Sequence, residues 1–127
     1  MNERNENDIV ATIRALRDAW ERGDKDAVDE HIHYPLLVIS MDGIVSLDSY
    51  PLSNELFSKT TTWTHSTTRR VSVEGICGTK AHVSINGCRY HKNGTIFEQY
   101  YVIYILHKYE QKWKVYAVSE IAIPEKG

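Results

Sequence analysis

Glu98 and Arg89 stand on opposite sides of the strongest hairpin signal in the chain, the Asn93-Gly94 dipeptide. With Asn93-Gly94 at the centre of a two-residue turn, the two side chains become direct neighbours on adjacent antiparallel strands. A carboxylate held by a guanidinium can act as a general base or bind a polar group of a ligand. The pair can equally be a cross-strand ion pair that contributes about 0.2–1 kcal/mol to stability. We predict Glu98 as a candidate catalytic residue and Arg89 as a ligand-binding residue, with the ion pair as the alternative.

Aromatic side chains form a second group of candidates. Trp20 ends the first amphipathic helix, and Tyr100 and Tyr104 share one face of a strand because strand side chains alternate with period two. Tyr34 precedes a proline and can point its hydroxyl group toward the same interior. Together these four residues can line a pocket for a small apolar or aromatic molecule. Ordinary core packing is the alternative for each of them.

Histidines offer a weaker candidate, a metal site. His31 and His33 face the same way if this segment is extended, and a His-x-His pair can supply two metal ligands. No third ligand stands at a coherent spacing, and the chain also shows no glycine-rich phosphate loop and no serine nucleophile elbow. We therefore expect neither a metal nor a cofactor.

The composition excludes some classes of partner. A length of 127 residues fits a single domain over 1–127, and the 42% of apolar residues is enough for one core. The 15 basic and 17 acidic residues give a net charge of −2 without a basic stripe, so nucleic acid is not expected as a partner. No apolar run is long enough to span a membrane, and the polar N-terminal segment has no signal core. A cytoplasmic protein is the expectation.

The elements that must position these residues follow from their periodicity. Helices are predicted over Asp8–Arg22, from Asp24 to about Ile32, and from Asp48 or Ser49 onward, and period-two alternation runs from Trp63 to Ile123. Two short strands, Leu36–Ser40 and Ile44–Leu47, form a hairpin between the second and third helices. The pattern predicts an α+β domain in which three N-terminal helices pack on a strongly curved, mixed or antiparallel sheet.

The turns fix the phase of the sheet. A second turn at Glu110-Gln111 pairs Leu106 with Val115 and Val102 with Ser119. The inner face is then predicted to carry Val83, Ile85, Gly87, Arg89, Glu98, Tyr100, Val102, Tyr104, Leu106, Trp113, Val115, Ala117, Ser119 and Ile121. The opposite face is predicted to carry His82, Ser84, Asn86, Cys88, Gln99, Tyr101, Ile103, Ile105, His107, Lys114, Tyr116 and Glu120. That mixed face is typical of a subunit interface, so we predict a homodimer through it. A single bulge would exchange the faces beyond it.

The order of elements resembles a known group of proteins. The stretch Leu16–Val28, a helix that breaks at Gly23-Asp24 before a second helix, resembles the nuclear transport factor 2-like superfamily, which includes the SnoaL-like polyketide cyclases and the ketosteroid isomerases. The hairpin after Pro35 and the closing strand Trp113–Val115 fit the same plan. The resemblance implies a cystatin-like cone with a pocket at its open end, often dimeric through the sheet.

The resemblance also argues against one activity. The oxyanion-hole tyrosine of the ketosteroid isomerases falls on Leu16, and their catalytic aspartate falls on Ser40. Leucine cannot donate a hydrogen bond and serine alone is a poor general base, so isomerisation by that mechanism is disfavoured. Ser40 remains a ligand-binding candidate by its position. Epoxide hydrolases of the same fold use carboxylates and an arginine to activate water, which suits the Glu98–Arg89 pair.

Three hypotheses follow for the function. The first is a small-molecule-binding protein with a pocket between the helices and the curved sheet. The second is a cofactor-independent lyase, isomerase or hydrolase with Glu98 as general base and Arg89 or Tyr34 orienting the substrate. The third is a dimeric interaction module with a collapsed pocket. An open pocket that contains Glu98 would favour the second hypothesis, and a pocket filled by side chains would favour the third.

Overall fold

The computed structural model describes residues 3–50 and 65–124, and in this part of the chain two helices and six strands follow one another. Their bounds are α1 Glu3–Arg22, α2 Lys25–Glu30, β1 Ile32–Ser40, β2 Gly43–Leu47, β3 His65–Cys77, β4 Lys80–Tyr90, β5 Ile96–Tyr109 and β6 Lys112–Pro124. The third predicted helix falls mainly on 51–57, outside the described residues, so two of the three predicted helices are confirmed. Neither described helix is long and apolar enough to cross a membrane.

Helix α1 begins earlier than predicted. The periodicity predicts a start at Asp8, but the helix starts at Glu3. Glu3 and Glu6 lie in its first turn, where the helix dipole favours negative charge. The apolar residues Ile9, Ile13, Leu16 and Trp20, spaced three or four apart along this helix, are all buried.

The break between the helices depends on Gly23 and Asp24. Gly23 adopts a φ of 72°, and its backbone N–H donates to the carbonyl of Trp20 over 3.2 Å. This left-handed conformation ends α1 in the way that glycine commonly does. The Asp24 carboxylate then accepts a hydrogen bond from the N–H of Ala27 at 3.2 Å and caps α2, as predicted.

The six strands form one curved, mixed sheet in the order β2-β1-β6-β5-β4-β3. Strands β1 and β6 pair in parallel, and the other neighbours are antiparallel. Helix α1 packs on one face of the sheet, which we call the inner face, and the main hydrophobic core lies between them. The predicted α+β class and the mixed sheet are confirmed.

The predicted pairing is found at Arg89, but Phe97 is an extra residue beside a β4–β5 turn that is longer than the two residues predicted. Arg89 lies opposite Glu98, and Gly87 lies opposite Tyr100. The β5–β6 turn contains Glu110 and Gln111, whose φ values of 50° and 70° match a two-residue turn of the type that twisted hairpins favour. Positions 89 and 98 therefore share one face of the sheet, as the sequence predicted.

A bulge in β6 changes the faces beyond Val115. Leu106 pairs with Val115 as predicted, but Ile105 pairs with Ala117, which leaves Tyr116 as an extra residue in β6. Val102 consequently pairs with Glu120 instead of Ser119.

Beyond the bulge, the assignment of β6 residues to the two faces is therefore wrong in both directions. Ser119 and Ile121 pair with Ile103 and Tyr101 on the outer face, and Ala117 pairs with Ile105 there. Glu120, predicted to lie outside, is brought onto the inner face. The same bulge thus removes a charge from the outer face and adds one to the interior.

Candidate functional site

Charged and phenolic side chains meet inside the core between α1 and the inner face of the sheet. Arg17 comes from α1, Arg89 from β4, Glu98 and Tyr100 from β5, and Glu120 from β6. The ring of Tyr100, which is fully buried, joins the two arginines: its centroid lies 5.2 Å from the guanidinium carbon of Arg17 and 4.7 Å from that of Arg89. Each contact has the geometry of a cation–π interaction.

Arg89 holds two carboxylates. Its Nη1 donates to Glu98 Oε1 at 2.7 Å, and its Nη2 donates to Glu120 Oε1 at 2.5 Å. The side chains of Arg89, Glu98 and Glu120 are 12%, 16% and 34% exposed, so water screens these pairs only in part. Burial opposes the charge of Arg89, but the two carboxylates outweigh it, and the pKa of Arg89 is raised.

Arg17 differs from Arg89 because no carboxylate forms an ion pair with it among the described residues. Its Nη2 donates to the hydroxyl group of Tyr100 at 2.8 Å, and its guanidinium carbon lies 5.9 Å from the ring centroid of Trp20. The Nε atom is buried and makes no hydrogen bond within the described part of the chain. Arg17 thus brings a positive charge and an unused donor into the core.

The phenols around Arg17 remain neutral at physiological pH. Burial raises the pKa of Tyr100, and the positive charge of Arg17 opposes this only in part. Burial likewise raises the pKa of Tyr50, which lines the same region. The hydroxyl group of Tyr100 also lies 3.3 Å from Oγ1 of Thr68 on β3. Each neutral phenol can both donate and accept a hydrogen bond.

Two empty spaces meet at Arg17. The first, which we call the inner cavity, measures about 60 Å³ and is lined by Leu16, Arg17, Trp20, Tyr50, Arg89, Val102, Tyr104, Val118 and Glu120. The second, which we call the outer groove, measures about 380 Å³ and is lined by Ile13, Arg14, Arg17, Asp18, Glu21, Thr68 and Val71. Drug-sized ligands occupy pockets of about 300–1,000 Å³, so only the outer groove is large enough for an organic molecule. The inner cavity has room for about one or two waters.

Some of the predicted site residues come together at the inner cavity. Trp20, Tyr104 and Arg89 line it, and Tyr100 adjoins it through Arg17 and Arg89. Glu98 lies behind Arg89 and is not among the described lining residues, whereas Glu120 is. The carboxylate that faces the cavity is therefore Glu120, which the sequence placed on the other face of the sheet.

Tyr34 and Ser40 lie away from both spaces. The Tyr34 hydroxyl group donates to Asp29 Oδ1 at 2.7 Å and accepts a hydrogen bond from the N–H of Tyr50 at 3.0 Å. It therefore connects β1 both to α2 and to the segment after β2. Ser40 is exposed, and its Oγ accepts a hydrogen bond from the N–H of Asp42 in the β1–β2 turn. Neither residue belongs to the described lining of the cavity or of the groove.

The two histidines of the His-x-His pair have different surroundings. His31 caps the end of α2, and His33 is exposed on β1, where its ring stacks on Tyr109 with 5.2 Å between centroids. The described residues contain no group of three or more histidine, cysteine, aspartate or glutamate side chains arranged to hold a metal ion.

Sequence reasoning missed three residues of the site: Arg17, Tyr50 and Glu120. For Arg17 a signal was present, because it follows Ile13 by four residues and so continues the buried side of α1. For Glu120 the decisive feature is the bulge at Tyr116, which the alternation of residues does not reveal. Tyr50 lies in the connection after β2, where no periodicity places its side chain.

Comparison with known families gives one match. A family model described as NTF2-like protein (DUF6841) matches residues 5–121, nearly the whole chain. No curated protein matches the chain significantly.

Solved structures with the same fold cover almost the whole chain. An NTF2-like protein from Cytophaga hutchinsonii has a TM-score of 0.69 at 20% identity, covering 97% of this chain and 100% of its own. A protein with a cystatin-like fold from Nostoc punctiforme has a TM-score of 0.73 at 10% identity, covering 98% and 96%. A ketosteroid isomerase-like protein from Erwinia carotovora atroseptica has a TM-score of 0.65 at 16% identity, covering 98% and 100%. At these identities the likeness shows the fold alone, and it confirms the expected cystatin-like architecture.

Proposed function

This chain belongs to the NTF2-like proteins (DUF6841), and from that premise we propose that it binds a small apolar or aromatic organic molecule in the outer groove, with the polar end of the molecule at Arg17. The groove has the volume of a small-molecule site, and Ile13 and Val71 give it apolar walls. Arg17 and Thr68 supply polar groups at its inner end. Arg14, Asp18 and Glu21 add charged groups, so the groove combines two apolar residues with five polar ones.

The observation that carries this proposal is that charged side chains lie inside the core. Apolar residues of similar volume would often stabilise a core as well as, or better than, buried ionic groups do. Arg17 and the group formed by Arg89, Glu98 and Glu120 nevertheless lie between α1 and the sheet. Polar groups that add little to stability favour a role in binding, and Arg17 brings one of them to the groove.

A second candidate function, catalysis, is favoured by the position of Glu120. Arg89 fixes this carboxylate, which is one-third exposed, at the wall of a cavity with room for a water molecule. A carboxylate beside a water can act as general base in a hydrolase, lyase or isomerase when the reacting end of a ligand reaches past Arg17 to this cavity. In this version of the enzyme hypothesis Glu120 takes the role first given to Glu98.

Replacement of Thr68 with tryptophan should block the groove and abolish ligand binding. Thr68 is exposed on β3 and lines the groove, so the indole ring can fill the space, and the only described hydrogen bond lost is the 3.3 Å contact with the Tyr100 hydroxyl group. In a thermal-shift screen of small aromatic compounds, wild-type protein should gain stability with some compounds, because ligands that bind only the folded state raise its melting temperature. Thr68→Trp should gain none.

Thr79→Trp is the matched control for this test, since Thr79 is exposed in the β3–β4 turn away from the groove. It should respond to the same compounds as wild type. Equal responses of Thr68→Trp and wild type, or no response of wild type to any compound, would contradict the proposed site. Mass spectrometry of the bound compounds after incubation tests the second candidate, because catalysis would change their mass or isomer composition.

The outer face of the sheet supports the proposal of a homodimer. Because of the bulge, Ile121 and Ile123 replace Glu120 on this face and join Tyr101 and Ile103, and all four side chains are exposed. A second copy would cover these apolar side chains, since contiguous exposed apolar patches mark interaction surfaces.

Ile103→Glu should convert the dimer into a monomer, because it places a charge at the centre of the apolar face. Sedimentation velocity at micromolar concentration measures this directly. Met41→Glu, which alters an equally exposed apolar residue in the β1–β2 turn, should leave the dimer intact. A wild-type protein that sediments only as a monomer at micromolar concentration would rule out the dimer.

A further inference from the structure

We propose that the ligand of the outer groove is a monocarboxylic acid with an otherwise apolar body, and that Arg17 binds its carboxylate. This inference rests on the proposed binding function and adds the chemical class of the ligand. The two arginines of the core differ in their carboxylate partners. Arg89 has two carboxylate partners, whereas Arg17 has none among the described residues.

An arginine buried without a counter-ion is unfavourable, because desolvation of its charge is not offset by an opposite charge. Arg17 stays protonated in spite of this, since arginine does not lose its proton in proteins. The hydroxyl groups of Tyr100 and Tyr104 and the rings of Tyr100 and Trp20 favour the charged form of Arg17 and raise its pKa against desolvation, but none of these groups carries a negative charge at neutral pH. The ligand group that would complete this site is an anion. A carboxylate can accept two parallel hydrogen bonds from a guanidinium.

The surroundings of Arg17 place the carboxylate on its groove side. Glu120 lines the inner cavity on the other side and would repel an anion there. On the groove side Thr68 supplies a hydroxyl donor, and its Oγ1 lies 3.3 Å from the Tyr100 hydroxyl group that Arg17 contacts. A carboxylate in this position would meet a charged donor and a neutral donor together.

The remaining walls of the groove set the charge and character of the rest of the ligand. Asp18 and Glu21 also line the groove at exposed positions, where water screens them and Arg22 pairs with Asp18, so they disfavour a second negative charge only weakly. Arg14 is exposed at the groove, where water screens its charge. Ile13 and Val71 offer apolar contact for an aryl or alkyl body. The site therefore fits a monoacid better than a dicarboxylate, a phosphate ester or a neutral amide.

Calorimetric titration with benzoate, benzamide and phthalate tests this inference. Benzoate and benzamide have nearly the same shape and differ in charge, and phthalate adds a second carboxylate. Wild-type protein should bind benzoate about 10- to 100-fold more tightly than benzamide, which is the range of a charge-assisted hydrogen bond. Phthalate should also bind more weakly than benzoate.

Arg17→Gln should abolish the preference for benzoate over benzamide, because glutamine keeps donors but removes the charge. Arg14→Gln removes an exposed charge from the same helix and the same groove, and it should keep the preference. Circular dichroism of both variants checks that they are folded.

The outcomes separate this inference from the proposed function. Equal affinity of wild type for benzoate and benzamide would overturn the carboxylate but leave the groove as a binding site. A preference for benzoate that persists in Arg17→Gln would overturn the role of Arg17. Absence of binding by both probes, together with positive results for other compounds in the thermal-shift screen, would also reject an acid ligand.

Discussion

Arg17→Met is expected to make the ligand-free protein more stable, although it alters a largely buried residue of α1. Methionine has a similar length and fills the same space, but it carries no charge that must be desolvated. Replacement of buried ionic groups by apolar ones can stabilise a protein by about 1–4 kcal/mol. Because the variant also loses the Tyr100 hydrogen bond and two cation–π contacts, we expect a gain of about 1–2 kcal/mol in the free energy of unfolding.

Urea denaturation at neutral pH measures this change. Arg14→Met is the control, because Arg14 is exposed three residues earlier on α1 and its replacement should change stability by less than about 0.5 kcal/mol. The same Arg17→Met protein should no longer gain stability from benzoate. A loss of stability in Arg17→Met would mean that Arg17 is satisfied within the folded chain, and it would remove the main argument for an anionic ligand.

A gain in stability together with a loss of binding would explain why an arginine stands at this position. Binding sites commonly retain groups that lower the stability of the ligand-free protein. Arg17 would then be such a group, since its charge is compensated only when a ligand is present.

The local elements of this fold could be predicted because each has a residue that fixes it. Gly23 ends α1 with a positive φ, and Asp24 caps α2 with its carboxylate. Asn93-Gly94 and Glu110-Gln111 set the two long hairpins, and with them the opposition of residues 89 and 98. Short-range physical chemistry was sufficient for these features.

The faces of β6 could not be predicted because its sequence is ambiguous where the bulge occurs. Val115, Ala117 and Val118 are all buried, so an alternating pattern can pass through either Ala117 or Val118. The pairing with β5 and the parallel pairing with β1 decide between the two, and both depend on tertiary structure. Glu120 enters the site only through that choice.

The candidate site was harder to predict than the fold, because its residues differ from the core only in context. The aromatic residues Tyr100, Tyr104 and Trp20 were found, but the space that they surround is too small for the aromatic ligand expected there. The usable space lies on the other side of Arg17, between α1 and β3. A groove between a helix and a strand distant in sequence leaves no local pattern.

Arg89→Met should have the opposite effect to Arg17→Met, with a loss of about 3 kcal/mol at pH 7.5. Arg89 forms ion pairs with Glu98 and Glu120. Without its positive charge, the two carboxylates lie close together in a partly buried site. Breaking a buried ion pair costs about 3–5 kcal/mol, and we expect the lower end because Glu120 is one-third exposed. The control is Arg22→Met, whose pairs with Asp18 and Asp24 are exposed and screened by water, so its loss of stability should be much smaller than that of Arg89→Met.

The loss in Arg89→Met should depend on pH in a defined direction. Without the cation, the folded variant takes up a proton at its crowded carboxylates more readily than the unfolded chain does. The folded state then binds more protons than the unfolded state, so the free energy of unfolding falls as pH rises. Compared with wild type, the deficit should therefore be larger at pH 7.5 than at pH 5, near the range in which glutamate begins to protonate.

Denaturant melts of wild type and Arg89→Met at both pH values give the deficit directly. Adding Glu98→Gln and Glu120→Gln to the variant should recover most of the lost stability, because it removes the uncompensated charges and leaves the change at position 89 in place. A deficit below about 1 kcal/mol that does not change with pH would show that water screens the pairs fully. Glu120 would then be an ordinary surface carboxylate, and catalysis in the inner cavity would lose its proposed base.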